Sequence, residues 1–160
     1  MNRHFVLGLS IAMLLSPAIV TAEESDHLSK LGELSAVHAW SRATDGREAF
    51  VFLELRNESE TTVTLDGAET PVAATAGIVG LQLKAGEAIY EPIPSVPVNP
   101  GRELHLEPDG LAIRLEGLAT PLIEGEEFDL DLQTSLGVLE VHVEIEASDA
   151  KAHGHAGHAH

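Results

Sequence analysis

The stretch VLEVHVEIE, residues 138–146, alternates apolar and polar side chains without a break. Leu139, Val141, Val143 and Ile145 fall on one side, and Glu140, His142, Glu144 and Glu146 on the other. A period of two belongs to a half-buried strand, because successive side chains of an extended chain point to opposite faces. The same period runs through AFVFLELRN, residues 49–57, where Ala49, Val51, Leu53 and Leu55 share a face. It recurs in EFDLDLQ, residues 127–133, where Phe128, Leu130 and Leu132 alternate with Asp129, Asp131 and Gln133. Shorter runs lie near 35–42, 61–66, 77–84, 87–93, 102–107 and 111–116. The breaks between runs read ATDG, LDG, KAGE, VNPG, EPDG, IEGEE and SLG, which are turn chemistry. Roughly seven to nine short strands with turns at such intervals predict an all-β fold, a single antiparallel β-sandwich of Greek-key type. TPVAATAGIVG, residues 70–80, has room for one helical turn, but its glycines argue against more.

The two ends follow different rules. Arg3, the apolar run from Phe5 to Leu15, Pro17 and the small residues before Glu23 have the form of a secretory signal over 1–22, too short for a membrane span. No other window is apolar enough to cross a bilayer. Residues 23–33 are polar and read as a loose leader, and 34–147 as the folded domain. From 148 to 160, SDAKAHGHAGHAH offers no apolar face to bury and is expected to be a flexible tail.

Composition excludes several kinds of chemistry. There is no cysteine, and both methionines, Met1 and Met13, sit in the signal segment, so a processed chain has no sulfur ligand. No GxSxG elbow, phosphate-binding glycine loop, HExxH or CxxC is present, so an enzyme is not expected. The acids on strands alternate with core residues, which is the pattern of a solvated face. A formal net charge of −17 opposes binding to nucleic acid or to an anionic membrane surface.

Histidine is the remaining chemistry. Four of the nine histidines, His153, His155, His158 and His160, lie in the last eight positions, spaced by Gly and Ala. Neutral imidazole binds Cu(II), Zn(II) and Ni(II), and small spacers let two or more rings reach one ion. The tail is therefore the expected metal-binding element. His105 and His142 read as outward-facing on strands, and His38 as sharing a face with Trp40 and Arg42, so these three are weaker candidate ligands. Ser25-Asp26-His27 would form an amino-terminal Cu(II) site only if cleavage exposed Ser25.

The order of motifs resembles the periplasmic copper chaperones of the PCu(A)C family, which are small cupredoxin-like sandwiches. AWSRAT, residues 39–44, looks like that family's Trp-x-Arg opening, and AFVFLELRN like the strand that follows. TPVA, residues 70–73, resembles its Pro-x-Ala stretch, and LEPDGLAIRLEGLATPLIEGEEFDLDL, residues 106–132, its long Pro-Gly-Gly to Gly-Asp/Glu signature. The resemblance covers roughly residues 35–146. It implies a cupredoxin-like fold, a periplasmic location, copper as cargo and copper-oxidase assembly proteins as partners. It also implies copper held by two histidines and two methionines, and here the chain departs. The first histidine falls near Gly80, the first methionine within Ala88 to Glu91, and the His-x-Met pair on Ala112-Ile113-Arg114. Arg114, a permanent cation, would repel a metal ion and is expected to pair with an acid such as Glu116.

Two readings follow. In one, metal handling has moved to the histidine tail, with Cu(II) favoured over Cu(I) and zinc also possible. In the other, the sandwich is a metal-independent interaction module of the cell envelope.

Overall fold

The computed structural model describes residues 28–153. The signal segment 1–22, His27 of the amino-terminal tripeptide, and His155, His158 and His160 of the tail lie outside the described residues. Eleven strands and no helix form among the described residues. In chain order they are β1 (Leu28–Leu31), β2 (Leu34–Arg42), β3 (Glu48–Asn57), β4 (Val63–Glu69), β5 (Thr75–Lys84) and β6 (Glu87–Pro92). There follow β7 (Val96–Val98), β8 (Arg102–Leu106), β9 (Leu111–Glu116), β10 (Glu127–Thr134) and β11 (Gly137–Glu146). Every expected strand is present. Residues 71–74, where a helical turn was admissible, form turns and bends.

The strands order as β6-β5-β9-β8-β3-β2-β11-β10-β4-β7, with β1 on β2. One pair, Ala68 on β4 with Ala76 on β5, joins the two halves, so the sheet wraps around its contents. The core is the one the alternation predicts. Val51, Leu53 and Leu55 of β3 meet Leu130 and Leu132 of β10 and Leu139, Val141, Val143 and Ile145 of β11, all buried. Asn57 ends β3 inside this core, where its Nδ2 donates to the Val98 carbonyl at 2.9 Å and to the Thr61 carbonyl at 2.7 Å. A buried amide satisfied in this way ties two turns together at little net cost.

Three expectations need correction. The leader is not wholly loose: Leu28–Leu31 pair in register with Leu34–Val37 as a hairpin. Its turn needs Gly32, whose φ of +61° lies in the left-handed region. Not every pairing is antiparallel either. β11 runs parallel to β2 at Glu144–Glu146, and β8 meets β9 in parallel at one residue pair. Alternation fixes which face is buried but not which strand lies alongside. The tail, finally, is docked as far as His153. The Arg42 Nε donates to the Ala150 carbonyl at 2.6 Å, and Ala150 packs on a buried cluster of Trp40, Phe52, Val79 and Ala112.

That cluster lies on the outer side of the sheet. Along β2 the inward residues are Leu34 and Ala36, then Ala39. The odd step marks a β-bulge, where the register against β3 shifts between Val37 and Trp40. His38, the extra residue, has a φ of +53°. Before the bulge β2 pairs with β1, and after it with β11. The changed parity turns Trp40 and Arg42 outward together. Trp40 meets Phe52 at 4.8 Å between ring centroids, and the Arg42 guanidinium lies 5.8 Å over Trp40 and 5.7 Å over Phe52. Such contacts favour a cation above the ring face by about 1 kcal/mol. Arg42 and residues 148–153 thus form a strap across an aromatic patch.

Candidate metal centre

The strap delivers His153 to the outer face of β11. Its Nδ1 stands 3.0 Å from Glu146 Oε1, and its Nε2 3.6 Å from Glu144 Oε2. His38, projecting from the bulge, stacks on it with ring centroids 5.7 Å apart and an interplanar angle of 26°. One ligand atom each from Glu144, Glu146 and His153 lies within 4.8 Å of the others. The His153 side chain is only 7% exposed, and those of Glu144 and Glu146 28% and 22%. Two carboxylates and two imidazoles are thus gathered from β2, β11 and the strap in a half-sheltered place.

Carboxylates outnumber cations here, with Arg42 beside Glu146 in the β2–β11 ladder. Glu144 faces Glu127 across the β10–β11 ladder, a like-charge pair that opposes the pairing. A depression of about 310 Å³ beside it is walled by Glu124, Glu126, Glu127, Glu144 and Glu146. A cation placed here would relieve that repulsion.

Two other groups of His and acid lie on the sheet. His105 on β8 stands 3.6 Å from Glu54 and 3.6 Å from Glu103. Arg56 occupies the same cluster, paired with Glu54 and, at 3.3 Å, with Glu103. Its bond to Glu54 holds the Arg56 pKa above the ordinary value, so a guanidinium already supplies the cation there. His142 on β11 lies across from Asp129, with Nδ1 to Oδ1 at 2.7 Å and Glu140 alongside, all exposed. Both histidines face outward, as the alternation predicts. His38 projects from the bulge toward the side that carries Trp40 and Arg42, where it meets His153.

The positions at which the PCu(A)C resemblance puts copper ligands hold different chemistry. Ala112 is fully buried in the cluster beneath Trp40. A Cβ at Gly80 would stand 2.7 Å from Ile93 Cδ1, so Ile93 fills that space. Glu91 is ion-paired with Lys84, and Tyr90 packs on Phe50 at 4.7 Å and donates its hydroxyl to the Pro108 carbonyl. Arg114 Nε lies 3.6 Å from Glu116 Oε1, the pairing expected of it. Hydrocarbon at Ala112 and Ile93 offers copper no donor, and the oxygens of Glu91, Tyr90 and Glu116 are engaged with Lys84, Pro108 and Arg114, so this region does not fit a His/Met copper site.

Sequence reasoning missed Glu144 and Glu146 because alternation assigns them to a solvated face. The available signal was their spacing on one face of β11, seven and nine residues before His153.

The LpqE-like lipoprotein family model matches residues 34–146. None of the curated proteins matches the chain. Among solved structures, the apo PCuAC domain from PmoF1 superposes with a TM-score of 0.65 at 21% identity, over 76% of this chain and 99% of that domain. The copper-bound PCuAC domain from PmoF2 gives 0.63 at 17% identity, over 76% and 98%. The Cu(I) form of DR1885 from Deinococcus radiodurans gives 0.55 at 24% identity, over 69% and 78%. At these identities the likeness is one of fold.

Proposed function

This chain belongs to the LpqE-like lipoprotein family, and from that premise we propose that it is an exported copper-binding, chaperone-like protein of the periplasm. It holds Cu(II) through its C-terminal histidines, His153, His155, His158 and His160, and passes the ion to copper-oxidase assembly proteins. Zinc is a second possible cargo for the same donors. The observation that carries this reading is the position of His153, held against Glu144 and Glu146 instead of standing off in solvent. The first tail histidine therefore presents its ion at a fixed place on the sandwich, where an incoming partner can replace ligands one at a time. The fold shared with the copper-bound PmoF2 domain and Cu(I) DR1885 supports a metal-handling role. Among the described residues no helix is long and apolar enough to cross a membrane.

Calorimetric titration of the processed chain with Cu(II), with Zn(II) and with Cu(I) under anaerobic reductant tests this, beside a chain ending at Ala150. Stoichiometric Cu(II) binding that disappears with residues 151–160 supports it, and equal binding by both chains refutes the role of the tail. The buried Ala112 and the filled space at Gly80 favour a second reading, a metal-independent interaction module of the envelope. In that case neither chain binds metal, and metal leaves the melting temperature unchanged.

A further inference from the structure

We infer that His38, Glu144, Glu146 and His153 form one composite site for a borderline divalent ion, Cu(II) or Zn(II), closed by docking of the 148–153 strap. This rests on the metal-carrier reading and deepens it, because it places the ion on the outer side of β2 and β11 instead of among the last histidines.

Three groups of His and acid compete for this role, and two have a reason to fail. The His105 group already contains Arg56. The His142 group is exposed throughout, so water competes for every ligand. The His153 group is sheltered, with three donors within 4.8 Å, and a second imidazole, that of His38, stacks on the ring of His153. Two imidazoles and two carboxylates suit Zn(II) and Cu(II), whereas Cu(I) seeks thioether or thiolate, which the described residues lack.

The site is split between two bodies. The sandwich supplies His38, Glu144 and Glu146, and the strap supplies His153. Arg42 and Ala150 hold the strap in place, and Arg42 stands next to Glu146 in the β2–β11 ladder. Binding and docking are therefore linked: an ion that needs His153 favours the docked strap, and a loosened strap lowers affinity by the fraction of time it is undocked. Arg42 is a positioning residue in this scheme. The backbone supports the same assignment. His38 holds a left-handed conformation at a bulge, a strained choice of the kind found at functional sites.

The experiment uses the processed full-length chain, a chain ending at His153, and the variants Glu144→Gln with Glu146→Gln, His38→Ala and Arg42→Gln. Each is titrated with Zn(II) and Cu(II), and Cu(II) samples are read by electron paramagnetic resonance. Trp40, the sole tryptophan, sits beside Glu144 in the β2–β11 ladder and reports the ion by fluorescence quenching. The chain ending at His153 is expected to bind within about threefold of the full chain, with the same spectrum. The double glutamine variant should lose more than about 100-fold in affinity, beyond the usual effect of an outer-shell change. Arg42→Gln should lose roughly tenfold with an unaltered spectrum, as expected of a group that positions a ligand. His38→Ala should change the spectrum by removing one nitrogen. Loss of binding in the chain ending at His153, with the double variant unaffected, overturns the composite site and leaves the tail reading standing. Absence of binding in every chain overturns both. Glutamine keeps the shape of glutamate, and His38→Ala, at a separate position, decides the matter if the double variant misfolds.

Discussion

Two regions on the outer side of one sheet differ in their chemistry. The β5–β6–β9 face, where the resemblance places a copper site, presents Ala112, Ile93, Tyr90 and the Arg114–Glu116 pair. The β2–β11 region presents His38, Glu144, Glu146 and, through the strap, His153. The first region is packed and the second is rich in donors. Outward side chains weigh less on the fold than the core does, so a sandwich can present different chemistry in different outer regions while its core stays the same. The strap connects the two regions, since it covers the aromatic cluster with Ala150 and supplies His153 to the other.

The comparison breaks most forcefully at Phe52, the floor of the strap, which is 2% exposed. Phe52→Ala should cost about 3–5 kcal/mol in denaturant unfolding and also weaken metal binding through the undocked strap. An unchanged metal affinity would show that the two regions are independent. Next comes an attempt to restore a ligand on the packed face. Ala112→His pushes a larger polar ring beneath Trp40, at a cost of about 2–3 kcal/mol. Cu(I) titration should show no new site, because no sulfur ligand stands nearby, and a tight new Cu(I) site would mean that the face is still poised for copper.

A smaller effect separates fold from function at the bulge. His38→Gly relieves a non-glycine residue at positive φ and should leave stability equal or raise it by up to about 1 kcal/mol, while lowering Zn(II) affinity. Stability and affinity falling together would give the ring a structural role instead. The smallest effect is electrostatic. Burial, with the nearby Asp109 charge, raises the Tyr90 pKa above its ordinary 10.0. The folded state therefore prefers the neutral phenol. Its contribution to stability is complete below the unfolded pKa and fades as pH rises through the higher folded value. Alkaline absorbance titration should find this phenol ionising late, and Tyr90→Phe should flatten the stability curve there.

Alternation made most of the fold legible. Leu139 to Ile145 and Val51 to Leu55 are buried as their period requires, and His105 and His142 are exposed for the same reason. The parallel pairing of β11 with β2 was not legible, because a strand's pattern carries no record of its neighbour. The site depended on that pairing. Glu144 and Glu146 look solvated until β2 brings His38 alongside and the strap returns His153. The strap was obscure because its one apolar anchor, Ala150, is too small to produce a periodic signal, and its main hydrogen bond comes from Arg42, 108 residues away.

The bulge has a consequence for inheritance. Because the parity of β2 changes at His38, deleting one residue there would exchange Ala39 and Trp40 between the interior and the outer face. The length of this segment is therefore fixed, whereas the side chain of the extra residue is outside the core's control. Descendants of such a chain can alter the chemistry at position 38 by substitution and leave the architecture untouched, which makes the bulge a place where new binding can arise before the fold has to change.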